Sequence, residues 1–273
     1  MPRAMNVVPP RGGRIVLAVL PFLLIAIIYL IGSAERRAAN PDDKLLPPVS
    51  EMAAATKRLA TEPDRRSGEY VLWVDTAASL RRLALGLGIS AGLGLALGLA
   101  IGLLPVAGAG FGTLVAVLSM IPPMAVLPIL FIVFGLGELS KVMLIIIGVT
   151  PTLIRDLSLE VAAMPREQLI KAQTLGGSTW QIAIRVVLPQ IMPRLIKCVR
   201  LMIGPAFLFL ISAEAIASDV GLGYRIFLVR RYLSMEVILP YVAWITLLAY
   251  LLDIALVWIG RRSFPWAFVQ EPH

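Results

Sequence analysis

Side chains able to do covalent chemistry are scarce in this chain, and that scarcity narrows its function. It has one cysteine, Cys198, and one histidine, His273, its last residue. One thiol cannot close an intrachain disulfide, and neither residue type is numerous enough to build a metal cluster. No metal site is expected, and a terminal imidazole reads as a solvated end rather than an acid–base catalyst. What remains is a few polar groups embedded in apolar runs: Ser119, Thr150, Glu214 and Asp253. A carboxylate in such surroundings must be paired, wet or functional, because burying it alone is costly. Glu214 is expected either to pair with Arg225 or to touch a solute. Asp253 is expected to pair between helices. No Arg or Lys is expected inside the apolar runs to receive an anion.

A second kind of chemistry is mechanical. The stretch Ala172-Gln-Thr-Leu175-Gly176-Gly177-Ser178-Thr-Trp180 continues through Gln-Ile-Ala-Ile184-Arg-Val186-Val187-Leu188-Pro189. It reads as two short helices with a break. The first is expected over about 166–175, ended by Gly176-Gly177, because glycine leaves helical geometry without steric cost. Ser178 is expected to cap a second helix running to about Val187. Pro189 ends that element or opens the next one. Trp180, Ile184 and Val187 would share a face, with Gln181 and Arg185 on another. Such an amphipathic pair fits docking against a soluble partner. It fits equally well a helix lying among lipid headgroups.

Pro122, Pro123 and Pro128 fall in one apolar run, 111–134, which therefore cannot be a straight helix. A broken helix at membrane depth is tolerated only against protein or a water-filled path. These prolines and Glu214 are candidate translocation-path residues, although a kinked helix packed on its neighbours accounts for the prolines as well. In the preceding run Gly94, Gly98 and Gly102 recur every four residues, a spacing that lets two membrane helices approach closely. Gly88 and Gly92 continue it one step off. The run lacks the Lys-Ser/Thr of a phosphate loop.

All of these groups must be positioned by membrane helices. Of 273 residues, 58% are hydrophobic and 15% charged, and the mean hydropathy is +0.85. Soluble domains carry roughly 25% charged residues, and one core of this size cannot bury so much apolar surface. Disordered chains are poor in it. An all-α membrane protein is expected, with six spans over 15–32, 83–104, 111–134, 142–157, 191–217 and 237–260. The first, preceded by Arg3, Arg11 and Arg14, is longer than a signal-peptide core and reads as an uncleaved helix. Residues 33–82 hold nine basic and eight acidic residues and read as a solvated periplasmic loop with a short amphipathic helix near 50–60.

Six spans place both ends on one side. The net charge is +8, and the stretch from Arg155 to Arg200 alone holds seven basic residues. The positive-inside rule therefore places that stretch and both termini, 1–14 and 261–273, in the cytoplasm. Basic residues at helix ends meet anionic lipid in the bilayer. No basic run is interleaved with aromatics, so no nucleic-acid partner is expected.

The segment around Gly176 resembles the cytoplasmic loop of binding-protein-dependent ABC importer permeases. The family pattern is Glu-Ala-Ala, three residues, Gly, nine residues, Ile, one residue, Leu-Pro. With the family Gly on Gly176, the second Ala falls on Ala172, the Ile on Val186 and the Leu-Pro on Leu188 and Pro189. The family Glu falls on Ile170 and the first Ala on Lys171, so that end departs from the pattern and the salt bridge such a Glu would make is missing. The resemblance covers roughly residues 75–265. Ile121-Pro-Pro-Met-Ala-Val-Leu-Pro128, Phe134-Gly-Leu-Gly-Glu-Leu-Ser-Lys141 and Gly221-Leu-Gly-Tyr224 resemble the subgroup importing nitrate, sulfonates, taurine and related small solutes such as urea.

The resemblance implies a permease core over 83–260 with a coupling loop at 158–190. In that loop Ala172, Leu175, Gly176, Gly177, Ser178, Val186, Leu188 and Pro189 would meet a cytoplasmic ATPase. It also implies a periplasmic solute-binding protein, a second permease chain (commonly a second copy) and a bacterial inner-membrane location. ATP and Mg would be bound by the ATPase. This chain shows no Walker sequence of its own and is expected to be no enzyme. The rival reading is a stand-alone secondary transporter or channel. That would call for an internal repeat or several intramembrane carboxylates, and no repeat is evident.

Overall fold

The computed structural model describes residues 10–40, 43–64 and 68–267. Arg3 and His273 lie outside the described residues. Every regular element among those described is helical. In chain order these are α1 (Arg11–Ala39), α2 (Val49–Thr61), α3 (Val71–Leu103), α4 (Pro105–Leu118), α5 (Pro123–Phe134) and α6 (Glu138–Ala162). Then follow α7 (Arg166–Thr174), α8 (Thr179–Ile182), a π-helical turn (Ala183–Val187), α9 (Leu188–Ala217), α10 (Leu222–Arg230) and α11 (Met235–Ser263).

Five helices are long and apolar enough to cross a membrane, and a sixth crossing is available if α4 and α5 count as one span bent by 94°. The bend follows from sequence. Pro122 and Pro123 each lack an N–H, and α4 ends at Leu118 while α5 starts on Pro123. Residues 105–110, which fall between two of the expected spans, open α4, because Pro105 stands at the first helical position where a missing N–H costs nothing.

The core is built around α6, which α3 and α9 flank. Glycine makes the α3–α6 seam close. A Cβ on Gly86, Gly94 or Gly98 would stand 2.7–2.8 Å from the Cβ of Ile145, Leu153 or Leu157 respectively. Gly102 is tighter still, at 2.6 Å from Val161 Cβ and the Ser158 carbonyl. The four-residue glycine spacing is thus one contact face along the C-terminal half of α3. Gly88 and Gly92 lie off that face and meet nothing within 4 Å. On the α6 side, Leu144, Ile145, Val149, Leu153 and Leu157 are wholly buried.

The start of the second span differs from the sequence-based expectation. α3 starts at Val71, twelve residues early, so 71–82 belong to a spanning helix rather than to a loop. Asp75 and Arg82, which made those residues look solvated, are buried and paired. The amphipathic helix expected near 50–60 is α2, which packs on α11 and α3. Helix α1 stands off the core: no residue of its most apolar 18-residue window is buried. Its ties run to the following loop, Tyr29 Oη to the Pro47 carbonyl at 2.5 Å and Ser33 Oγ to the Leu46 carbonyl at 2.8 Å. Arg36 holds the Asp43 carboxyl below its ordinary range through a 2.6 Å ion pair.

Candidate functional site

At one end of the bundle the chain makes an elbow. No residue of α7 is buried. The helix unwinds at Gly176, whose φ of +79° suits a residue without a Cβ. The Gly177 N–H returns to the Ala172 carbonyl at 3.0 Å, and a Cβ on Gly177 would sit 2.8 Å from that oxygen. Ser178 then starts a new helix with a reciprocal cap. Its Oγ accepts from the Gln181 N–H at 3.3 Å, and its own N–H donates to Gln181 Oε1 at 2.9 Å.

The second half of the elbow is not a separate short helix. From Thr179 the chain runs into the membrane as one 39-residue helical unit ending at Ala217. Pro189 stands in the first turn of α9, as expected, but the helix runs through it without a break. Pro189 has no N–H and crowds the carbonyl four residues back. The turn before it widens, and the Leu188 N–H reaches the Ala183 carbonyl. Ile182 and Val187 anchor this unit in the core, whereas Leu175 and Trp180 are 88% and 73% exposed. Trp180 and Ile184 therefore do not share a buried face with Val187. They line a groove against Gly92, Leu99 and Leu103 of α3. Ala172 and Val186 are half-buried against the core, and Gly176, Ser178 and Pro189 are exposed.

At the opposite end, charges converge. Glu214, fully buried on α9, accepts from Arg82 Nη1 at 2.6 Å, Ser79 Oγ at 2.8 Å and the Gly223 N–H at 2.8 Å. Arg82 also grips Glu138 through Nε at 2.6 Å and Nη2 at 2.7 Å, and Lys141 donates to Glu138 at 2.9 Å. Asp75, also fully buried, accepts from Arg225 Nε at 2.8 Å, the Gly221 N–H at 2.9 Å and Tyr241 Oη at 3.1 Å. Burial works against the charge of Arg225, but Asp75 outweighs it and raises the guanidinium pKa above its ordinary value. Gly221 fits because it has no Cβ: one would lie 2.5 Å from the Glu214 carboxyl carbon.

The pairing differs from expectation. Glu214 meets Arg82, not Arg225, and Arg225 meets Asp75. Ser79, Arg82 and the 221–223 turn enclose Glu214, which has no exposed surface and does not border an open path here. Asp253 pairs between helices, accepting from Arg200 Nε at 2.8 Å and Nη2 at 2.9 Å. Arg82, Lys141, Arg155 and Arg200 all lie within helices long enough to span, so cations do occur there. Asp75, Ser79 and Arg82 were missed because the loop reading hid them. Their signal was the four- and three-residue spacing of Asp75, Ser79 and Arg82, which puts them on one helical face.

The three prolines cluster around the 94° bend, Pro122 and Pro123 at its corner and Pro128 inside α5. Ser119 caps α4 with its Oγ on the Ala116 carbonyl at 2.8 Å and also accepts from Arg155. Thr150 is buried with its hydroxyl unpartnered, as is that of Ser90. Among the described residues no group of three metal-ligating side chains converges.

Comparison with known proteins agrees with this architecture. The family model for the binding-protein-dependent transport system inner membrane component matches residues 86–266. The taurine transport system permease protein TauC of Escherichia coli is 32% identical over 198 residues, 72% of each chain. The nitrate import permease protein NrtB of Synechococcus elongatus is 25% identical over 252 residues, 90% of each chain. The putative aliphatic sulfonates transport permease protein SsuC of Escherichia coli is 32% identical over 73% of this chain and 75% of its own. Among solved structures, a chain of the inward-facing MetNI methionine ABC transporter superposes with a TM-score of 0.59. That match has 18% identity and covers 73% of this chain and 99% of the other.

Proposed function

The chain belongs to the binding-protein-dependent transport system inner membrane component family and is the membrane permease subunit of an ABC importer, and from that premise we propose that it moves a small oxyanion-bearing solute. The relatives named for taurine, nitrate and sulfonates support that class, since each of those solutes carries a compact oxyanion group. Family membership gives it an ATPase and a solute-binding protein as partners, and it is the transport subunit rather than the ATPase. A stand-alone transporter is not favoured. The finer reading is that two copies pair across the bent α4–α5 spans, that ATP and Mg sit on the ATPase, and that the elbow and both termini face the cytoplasm.

One observation carries the mechanism: the elbow is exposed, yet its second half is continuous with a spanning helix. A partner that seats Leu175 and Trp180 therefore moves α9 directly, without a flexible linker between them. Two such partners drawn together by ATP would swing two α9 helices and exchange access between the two sides. The test uses Gly176→Pro, because proline cannot adopt a φ of +79°. The variant is expected to reach the membrane and to lose solute-stimulated ATP hydrolysis in the reconstituted importer. Stimulation at the wild-type level would refute the coupling role.

A further inference from the structure

Several arginines of the helical core are matched with carboxylates: Arg82 with Glu138 and Glu214, Arg194 with Glu160, and Arg200 with Asp253. Arg155 is different. It is exposed, it lies within α6, and among the described residues no carboxylate pairs with it. Its hydrogen bond goes to a neutral group, Nη1 donating to Ser119 Oγ at 3.4 Å. A guanidinium in a spanning helix without an acid partner calls for an anion or for water.

Its position is specific. Gly148 lies seven residues earlier on the same face of α6. There the Phe209 ring of α9 and Pro123 of α5 crowd so closely that a Cβ would stand 2.5 Å and 3.1 Å from them. Arg155 lies about two turns further along α6 toward the elbow and is exposed. The corner of the bent span lies beside it, with Ser119 in contact and Met120 and Ile121 70% and 43% exposed. Seventeen residues of α6 separate Arg155 from Glu138, roughly 26 Å at the helical rise, so it stands near the elbow-side mouth of the membrane core. Arginine suits an oxyanion because its planar fork offers paired donors.

We propose that Arg155, steadied by the Ser119 hydroxyl, is the cationic contact for the solute's oxyanion group at the cytoplasmic mouth of the path. The assignment rests on the oxyanion class proposed above. The test reconstitutes the importer, with its ATPase and binding protein, in phosphatidylcholine vesicles with and without phosphatidylglycerol. Uptake of taurine, methanesulfonate, nitrate and bicarbonate is measured per ATP hydrolysed. With the anion that the wild type imports, Arg155→Gln is expected to lower uptake per ATP roughly ten-fold or more, the scale of a charge-assisted hydrogen bond. Arg155→Lys is expected to retain more than Arg155→Gln, and Ser119→Ala to show a smaller loss in both lipids. Unchanged uptake per ATP in Arg155→Gln overturns the assignment while leaving the solute class intact. A deficit seen only with phosphatidylglycerol overturns it in favour of a lipid-headgroup anchor. A wild type that imports none of the four anions removes the solute class itself, and the assignment with it.

Discussion

The glycine seam between α3 and α6 can be tested with matched alanine substitutions. At Gly98 an added methyl would meet Leu157 Cβ at 2.8 Å and the Ile154 carbonyl at 3.3 Å, whereas at Gly88 it would meet nothing within 4 Å. Neither obstacle at Gly98 is the free end of a flexible side chain, so two helices must part. Overpacking of this kind costs about 1–3 kcal/mol. Replacing glycine by alanine inside a helix also returns about 0.5–1 kcal/mol, but both variants share that gain and it cancels in their difference. Gly98→Ala should therefore be about 1–3 kcal/mol less stable than Gly88→Ala, and Gly88→Ala should equal or slightly exceed the wild type. The chain supplies its own reporter: Cys198 is its sole thiol and is 1% exposed. A thiol-reactive fluorogenic dye added during heating in detergent reads its release. Equal melting of the two variants would show that the α3–α6 contact is not the close one described.

Removing the Glu214 carboxylate (Glu214→Ala) takes away the acceptor of Ser79, Arg82 and the Gly223 N–H. A broken buried ion pair costs roughly 3–5 kcal/mol, so recovery of folded protein should fall sharply, and less so for Glu214→Gln; wild-type recovery and melting in both would contradict the clamp. Ser178→Cys, at an exposed position, should react with a membrane-impermeant maleimide only when the cytoplasmic face is open to the reagent. Labelling of intact cells from outside would invert the proposed orientation.

Legibility in the sequence tracked how local the cause was. The elbow is written in adjacent residues, Gly176-Gly177 for the break and Ser178 with Gln181 for the cap, and its position was readable. Its continuity with α9 was not, because Pro189 reads as an end until a widened turn absorbs it. The α4–α5 break was readable from Pro122 and Pro123, but the size of its bend depends on packing against α6. Long-range pairing was the least accessible. Arg82 and Glu214 lie 132 residues apart, so hydropathy registers each charge and not its neutralisation. That is why α3 was expected to begin at Leu83. Arg225 was the nearer cation to Glu214 in sequence, and nearness in sequence was the wrong guide. The glycine ladder announced a close helix contact without naming α6 as the partner.

The buried ions have one further consequence. The N–H groups of Gly221, Leu222 and Gly223 are all taken up by side chains of α3 and α9, so sliding there would strand several polar groups in a dry interior at once. Along the glycine stretch of the seam α3 meets side-chain carbons and backbone of α6 without a hydrogen bond between the two, so a small tilt there breaks no polar bond. Any stroke delivered to the elbow is therefore met by a fulcrum at the far end, and the throw grows toward the elbow.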